Sequence, residues 1–209
     1  EIEFEGTSTL ADVGGLLTTD GNHSPDGRHI NFTSKDPDLA LLVKNSLGLT
    51  NKIGLKANGI RKADKIYSVL QFGNVQFYKW LLKIGLHPRK SLTLGSLAIP
   101  DIYFRDFLRG HLDGDGSITT YTDKTLMKIK ATYIYERLFV RFISASEQHI
   151  KWLHGKITSL FAISGRVHKV RWGNAKNNMW ILKFGKKDSI KILRVLYHSK
   201  DIPSLERKK

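Results

Sequence analysis

Two aspartates, Asp20 and Asp115, occupy equivalent places in two similar stretches of the sequence. Each follows a segment with helical character and precedes a glycine, so each carboxylate is predicted to lie at the C-terminal end of a helix. The helix dipole disfavours a negative charge there, and an acid in that place indicates a bound cation. Two such carboxylates side by side would suit phosphodiester hydrolysis, in which divalent ions activate a water molecule and stabilise the leaving oxygen.

Small residues in both segments provide a means of bringing the two acids together. The first predicted helix has Thr9 as its N-cap, and the second has Asp101. Faces without bulky side chains let two helices approach closely. Such small residues recur at one-turn spacing in three pairs: Gly14 with Thr18, Gly15 with Thr19, and Gly110 with Gly114. We therefore predict that the helices pair and place Asp20 beside Asp115.

Residues 13–21 and 108–116 resemble the LAGLIDADG motif of the homing endonucleases. One copy is a short pattern that is also compatible with a polar turn or a helix C-cap, but two copies at the expected places are much more specific. The resemblance implies that Asp20 and Asp115 are metal ligands, assisted by the backbone carbonyls of Thr19 and Gly114. It also implies two or three divalent ions at the helix interface, with Mg²⁺ as the natural occupant of a site built from oxygen atoms.

The same resemblance implies a site-specific endonuclease of the intron-encoded type, which makes double-strand breaks at a long asymmetric target in double-stranded DNA. A single chain with two different halves fits an asymmetric target, since only a homodimer demands a palindrome, and we therefore expect a monomer. The alternative is a binding-only relative, such as an RNA splicing maturase or a regulator. Loss of either acid would favour that alternative, and both acids are present.

The rest of the chain repeats as well, which predicts an α+β fold of two pseudo-symmetric α-β-β-α-β-β-α repeats with antiparallel β-saddles. The N-terminal repeat covers residues 1–91, the linker residues 92–100 and the C-terminal repeat residues 101–209. In the first repeat, two strands flank a turn at Asn58-Gly59. The repeats overlay at residues 69–73 with 181–185, and more roughly at residues 88–91 with 205–208.

The charge of the chain predicts a nucleic-acid partner. The formal net charge is +15 and the pI is about 9.9. Basic residues occur among aromatics in β-like stretches, with no basic amphipathic tail, which favours DNA over a membrane surface. The sequence has no cysteine and no long apolar run, so we expect a soluble intracellular protein without disulfides or thiolate zinc sites. An organelle and a prokaryotic cytoplasm are both compatible with this composition.

Two basic segments are candidate DNA contacts. The β-ribbon is longer in the second half, because Asp115 and Ser144 are 29 positions apart whereas Asp20 and Ser34 are 14 apart. Within it Lys128, Lys130 and Thr132 alternate with Ile129, Ala131 and Tyr133, which predicts a strand whose basic face fits the major groove. The second segment contributes Arg166, His168, Lys169, Arg171 and Trp172.

Lys183 and Gln71 complete the catalytic set that the resemblance implies. Family members often place a lysine near the scissile phosphates on the strand before the last helix of each half, and Lys183 matches that place. An ammonium there can stabilise developing charge or orient the water. Its repeat partner is Gln71, so the two active centres would be chemically unequal. Asp113 has no acidic counterpart in the first half and is interpreted as structural, and His111 is interpreted as packed.

Overall fold

The computed structural model describes residues 7–57, 66–130, 132–171, 176–199, 202 and 205. The first half is ordered α1 (Ser8–Asp20), β1 (Gly21–His23), β2 (His29–Ser34), α2 (Pro37–Ser46), β3 (Ile53–Ala57), β4 (Ile66–Gly73) and α3 (Val75–Ile84). The second half repeats this order as α4 (Phe104–Gly114), β5 (Ser117–Asp123), β6 (Tyr135–Ser144), α5 (Glu147–Phe161), β7 (Arg166–Val170), β8 (Met179–Phe184) and α6 (Lys186–Leu196). The predicted α+β architecture of two α-β-β-α-β-β-α repeats is confirmed.

Each half builds one four-stranded antiparallel sheet, with strand orders β1-β2-β4-β3 and β5-β6-β8-β7. Strand alternation turns the apolar residues of each sheet to one face, as with Leu70 and Phe72 in β4 and Leu182 and Phe184 in β8, all of which are buried. These residues join the helices in one hydrophobic core. The opposite face of each sheet mixes polar and basic residues with a few apolar ones, such as Val69 in β4 and Phe139 in β6. None of the helices in the described residues combines the length and hydrophobicity that crossing a bilayer requires.

Helices α1 and α4 pair at the centre of the molecule along their small-residue faces. A Cβ atom built on Gly15 would lie 2.1 Å from the carbonyl oxygen of Phe107, and one built on Gly110 would lie 2.0 Å from the carbonyl oxygen of Asp12. Backbones this close leave no room for a side chain, so both positions require glycine. The predicted helix pairing is therefore confirmed.

A buried ionic cluster joins the same two helices near their N-terminal ends. The guanidinium of Arg109 lies 3.0 Å from the carboxylate of Asp12 and 2.9 Å from that of Asp106. All three side chains are almost inaccessible to solvent. Burial raises the pKa of Asp12 to about 7, and the charge of Arg109 opposes that shift. The cluster fixes which side chains of α1 face α4.

Both predicted N-caps of these helices are wrong, because another residue caps α1 and the Asp101 side chain forms an ion pair. Helix α1 begins two residues earlier than predicted, and Thr7 accepts the Leu10 N–H at 3.1 Å where Thr9 was expected to cap. Asp101 forms an ion pair with Lys156 and does not cap a helix. A 3₁₀ turn at Asp101–Tyr103 therefore precedes α4.

The longer ribbon of the second half is confirmed, but its predicted basic strand is wrong. Strands β5 and β6 pair over seven residues, from Ser117 opposite Arg141 to Asp123 opposite Tyr135, against three pairs between β1 and β2. Asp123 then accepts hydrogen bonds from the backbone and hydroxyl of Thr125, which turns the chain into a 3₁₀ turn at Thr125–Lys128. Ala131 and the expected Asn58-Gly59 turn lie outside the described residues.

Candidate active site and nucleic-acid interface

Asp20 and Asp115 end the two paired helices. Asp20 is the last residue of α1, and Asp115 follows α4 directly as its C-cap. The helices remain close here, since a Cβ atom built on Gly114 would lie 2.0 Å from Thr19 Oγ1 and 3.2 Å from Asp20 Oδ2. Glycine at position 114 thus admits the Asp20 carboxylate beside the residue that precedes Asp115. The structure brings together the four residues that were predicted to bind metal.

A lysine that the sequence analysis did not select, Lys90, lies between these acids and the core. Its ammonium donates a hydrogen bond to the carbonyl oxygen of Gly21, and the residue is only 6% exposed. Burial lowers the pKa of Lys90 to about 8, whereas the negative charges of Asp20 and Asp115 act in the opposite direction. Lys90 and Asp115 also line a single cavity of about 180 Å³. A buried lysine therefore lies beside the ends of the two motif helices.

The sequence contained one signal that could have identified Lys90. The residue belongs to the stretch Pro88-Arg89-Lys90-Ser91, which follows the last helix of the first half, and residues 205–208 give a rough echo of it after α6. Basic residues repeated at one place in both halves indicate a shared role. Arg207 and Lys208, the basic residues of the echo, lie outside the described residues.

The second half holds the segment that carries Lys90. Ser146 donates its hydroxyl to the carbonyl of Leu94, and His149 donates from Nδ1 to the carbonyl of Gly95 at 3.0 Å. Because the Nδ1 proton of His149 is used in this way, its Nε2 accepts from His111 Nε2 at 3.1 Å. Burial lowers the pKa of His149 to about 4, so this ring is neutral at pH 7. His111 is packed, as predicted, and it connects α4 to the linker through α5.

Asp113 has a structural role, in agreement with its interpretation from the repeat. Its two carboxylate oxygens accept hydrogen bonds from the Tyr197 hydroxyl at 2.7 Å and from the Leu205 N–H at 3.1 Å. The side chain is buried and points away from solvent. Asp113 thereby ties the C-terminal segment to α4.

The open face of the second sheet carries a row of basic residues that begins beside Asp115. Strand register places Ser117, Arg141, Lys183 and Arg166 directly across from one another, and we call these four residues the basic row. The Lys183 ammonium lies 3.8 Å from the ring centre of Phe139, and the Arg141 guanidinium lies 5.4 Å from it. Arg141 also donates to Thr119 Oγ1 at 2.9 Å. These contacts hold two cations on the open face next to the acid site.

The equivalent row of the first sheet is uncharged. Asn22, Asn31 and Gln71 lie across from one another on β1, β2 and β4, and we call them the amide row. Gln71 is exposed, and the side chain of Asn51 donates to its backbone carbonyl at 3.0 Å. Asn22 and Ser117 each lie two positions after an acid, so the two rows begin at corresponding places on either side of the active centre.

The other predicted DNA contacts do not share one face of the second sheet, because successive residues of a strand point to opposite faces. His168 shares the open face with Arg166, but Lys169 lies on the opposite face, where its ammonium is 5.6 Å from the ring centre of Trp180. Arg171 is exposed beyond the end of β7, and Trp172 lies outside the described residues. Lys128, Lys130 and Thr132 are exposed at the tip of the ribbon, outside any strand. Strand register therefore divides these candidates between the two faces of the sheet, and their contact with DNA stays a prediction.

The atoms at the helix ends fit a hard divalent cation. Two carboxylates and the neighbouring backbone carbonyls offer oxygen atoms only, which is the ligand set that Mg²⁺ prefers. Within the part of the chain that the structure describes, no three His, Asp or Glu side chains cluster into a complete metal site. Water and substrate phosphate would therefore have to supply the remaining ligands, as is usual for Mg²⁺ at phosphoryl centres.

Comparison with known proteins identifies the fold. No family model matches the sequence, and no curated protein matches it significantly. Among solved structures, the N-terminal LAGLIDADG domain of DUF199/WhiA is similar over 100% of this chain and 91% of that one, with a TM-score of 0.59 and 14% identity. The chain spans only 60% of full-length WhiA from Thermatoga maritima.

Two structures of DNA-bound endonucleases are similar to the same degree. The homing endonuclease I-DmoI, in complex with DNA and Ca, matches over 96% of this chain and 95% of its own, with a TM-score of 0.58 and 17% identity. The I-LtrWI LAGLIDADG homing endonuclease, bound to target DNA, matches over 96% and 86%, with a TM-score of 0.58 and 15% identity. The chain has the two-repeat LAGLIDADG fold that these homing endonucleases and the WhiA domain share.

Proposed function

We propose that this protein is a divalent-metal-dependent DNA endonuclease that cuts both strands of a long asymmetric target. The observation that carries the proposal is the position of Asp20 and Asp115 at the C-terminal ends of the paired helices α1 and α4, where the two halves of the chain bring carboxylate and carbonyl oxygens to one place. Similar structures were solved with DNA together with Mn, Mg or Ca, which supports a divalent metal at this place. One chain supplies both motif helices, so the protein acts as a monomer.

Each residue of the site has a distinct role in this proposal. Asp20 and Asp115, with the carbonyls of Thr19 and Gly114, would hold Mg²⁺, which when bound would supply water activation and charge stabilisation at the scissile phosphate. Lys90 adds a fixed positive charge beside the carboxylates and so attracts phosphate to them. The close glycine seam brings the ends of α1 and α4 together, so that Asp20 and Asp115 can each serve one strand of the duplex.

Lys183 and Gln71 lie in the basic row and in the amide row, and we propose that they flank the two scissile phosphates. Lys183 offers an ammonium to one strand, whereas Gln71 offers a neutral amide to the other. The two strand cuts should therefore proceed at unequal rates. A Lys183→Gln variant, measured for both nicks on a supercoiled plasmid that carries the target, should slow one nick more than the other.

The decisive experiment replaces one aspartate of the site with asparagine, which removes the negative charge and keeps the shape of the side chain. A duplex library with randomised sequence is incubated with the protein and Mg²⁺, and the cut ends are sequenced to find the target. On that target, Asp20→Asn and Asp115→Asn should each abolish double-strand cleavage and leave DNA binding largely intact. Loss of a carboxylate next to phosphate removes a repulsion and does not weaken association. Double-strand cutting by Asp115→Asn at the native rate would overturn the metal mechanism.

The fold alone is also compatible with a binding-only protein, since the WhiA domain has it. The same library experiment separates the two functions. Recovery of bound duplex without cut ends in Mg²⁺ would favour a binding-only role, whereas a defined pair of cut ends supports the endonuclease. A matched control is Asp38→Asn, which removes one exposed carboxylate of α2 away from the site and should change neither binding nor cleavage.

A further inference from the structure

The two open sheet faces present different chemistry at equivalent positions. Gln71 and Lys183 correspond in the repeat, and the register places Asn31 opposite Gln71 and Arg141 opposite Lys183. On β2 and β4 the amide row carries the neutral Asn31 and Gln71, where the basic row carries the charged Arg141 and Lys183 on the matched strands β6 and β8. The difference is one of residue type at matched places, not of sheet geometry, since both sheets have the same strand order.

Side chains of these two kinds recognise different bases. In the major groove, an amide of Asn or Gln pairs with both the N6 and N7 edge atoms of adenine, whereas Arg or Lys pairs with O6 and N7 of guanine. Each row lies on the open face of its sheet and begins two residues after an acid. In the proposed complex with DNA, the rows therefore lie over the base pairs that flank the cleavage centre.

We infer that the DNA target has adenine under the amide row and guanine under the basic row, so that its two half-sites differ in composition next to the cuts. This inference rests on the proposed function, and it adds the identity of the bases that the protein reads. Asn31 is the proposed adenine reader of the first half. Arg141 and Arg166 are the proposed guanine readers of the second half.

The contacts of the basic row favour base-specific recognition over non-specific attraction to DNA phosphates. Arg141 is held by its hydrogen bond to Thr119 Oγ1 and by the ring of Phe139, so its guanidinium has a fixed direction. A guanidinium that is already held in one orientation loses less conformational entropy on pairing with a base edge than a freely rotating one does. Arg166 stands exposed at the end of the row on the edge strand β7. Arg141 is thus the pre-oriented guanine reader, and Arg166 is the one accessible at the edge of the sheet.

The test selects DNA by binding, in the absence of divalent metal, so that cleavage plays no part. Native protein is mixed with a randomised duplex library in EDTA, and the bound fraction is sequenced over several rounds. We expect adenine at one or more inner positions of one half-site and guanine at the corresponding positions of the other. At each position the wrong base should weaken binding by about 5- to 150-fold. A selected site with the same base preference in both halves would overturn the inference and leave the endonuclease proposal standing.

Variants assign each preference to a residue. Asn31→Arg should change one preferred adenine to guanine, and Arg166→Gln should abolish the guanine preference at one position of the other half-site. The matched control is Lys169→Gln, because Lys169 lies on β7 but on the opposite face. This control should leave every base preference unchanged. Base preferences that do not move in Asn31→Arg and Arg166→Gln would overturn the assignment, and failure to select any sequence would overturn the proposed function as well.

Discussion

Replacing Gly15 with alanine is expected to destabilise this protein, whereas the same replacement at its neighbour Gly14 is expected to stabilise it. Both glycines lie in the middle of α1, so both substitutions gain the higher helix propensity of alanine, about 0.5–1 kcal/mol. They differ in what the new methyl group would meet. The two variants therefore separate the packing of the helix seam from the propensity of the helix.

The geometry sets the size of the difference. At Gly15 the new Cβ would lie 2.1 Å from the Phe107 carbonyl oxygen and 2.6 Å from the His111 nitrogen, both of them backbone atoms of α4. The helices would have to separate by about 1 Å, and such overpacking costs roughly 1–3 kcal/mol or more. At Gly14 the nearest atom is a ring carbon of Phe107 at 3.9 Å, an ordinary contact.

We expect a net loss of about 2 kcal/mol for Gly15→Ala and a gain of about 0.5 kcal/mol for Gly14→Ala. For a chain of this size, these values correspond to a melting temperature lower by roughly 4–8 °C and higher by roughly 1–2 °C. Urea unfolding and calorimetry of both variants measure the two shifts. Equal shifts of the same sign would show that the seam does not limit the approach of the helices, and the reasoning would fail.

Three further predictions concern salt, buried charge and pH. DNA affinity should fall as salt rises, with a slope of about −5 or steeper in log K against log salt, because six or more phosphate contacts are expected. Binding titrations at several salt concentrations measure the slope, and a flat slope would contradict a DNA partner. Arg109→Met should lower the free energy of unfolding by about 3–5 kcal/mol, because it removes the cation that pairs with the buried carboxylates of Asp12 and Asp106. Urea unfolding measures this loss, and a loss below about 1 kcal/mol would contradict the prediction. The folded pKa of His149 is about 4, below the value of 6.5 expected on unfolding, so its contribution to stability should grow as pH rises between these values. Between pH 4.5 and pH 7, the free energy of unfolding of His149→Gln should therefore rise less than that of the native protein. Equal increases would refute the lowered pKa of His149.

The sequence by itself determined the two acids, the order of elements and the repeat. These features depend on local patterns, namely glycine after a helix, small residues at one-turn spacing and two-residue alternation in strands. Helix α3 shows such local signals at both ends, because Asn74 caps it by accepting the Phe77 N–H and Gly85 ends it with a left-handed conformation. Where a cap was wrongly assigned, as at Thr9 and Asp101, neighbours offered a competing bond that the local pattern does not reveal.

Only the tertiary structure decided which side chains share the site. Lys90 donates to the carbonyl of Gly21, which lies 69 positions earlier in the sequence. The segment that carries Lys90 is held in place by hydrogen bonds from Ser146 and His149 of the other half. Likewise, Lys169 and Arg166 are similar in charge and close in sequence, but strand register turns them to opposite faces of the sheet. Contacts of this kind arise from the packing of distant elements, and no periodicity in the sequence encodes them.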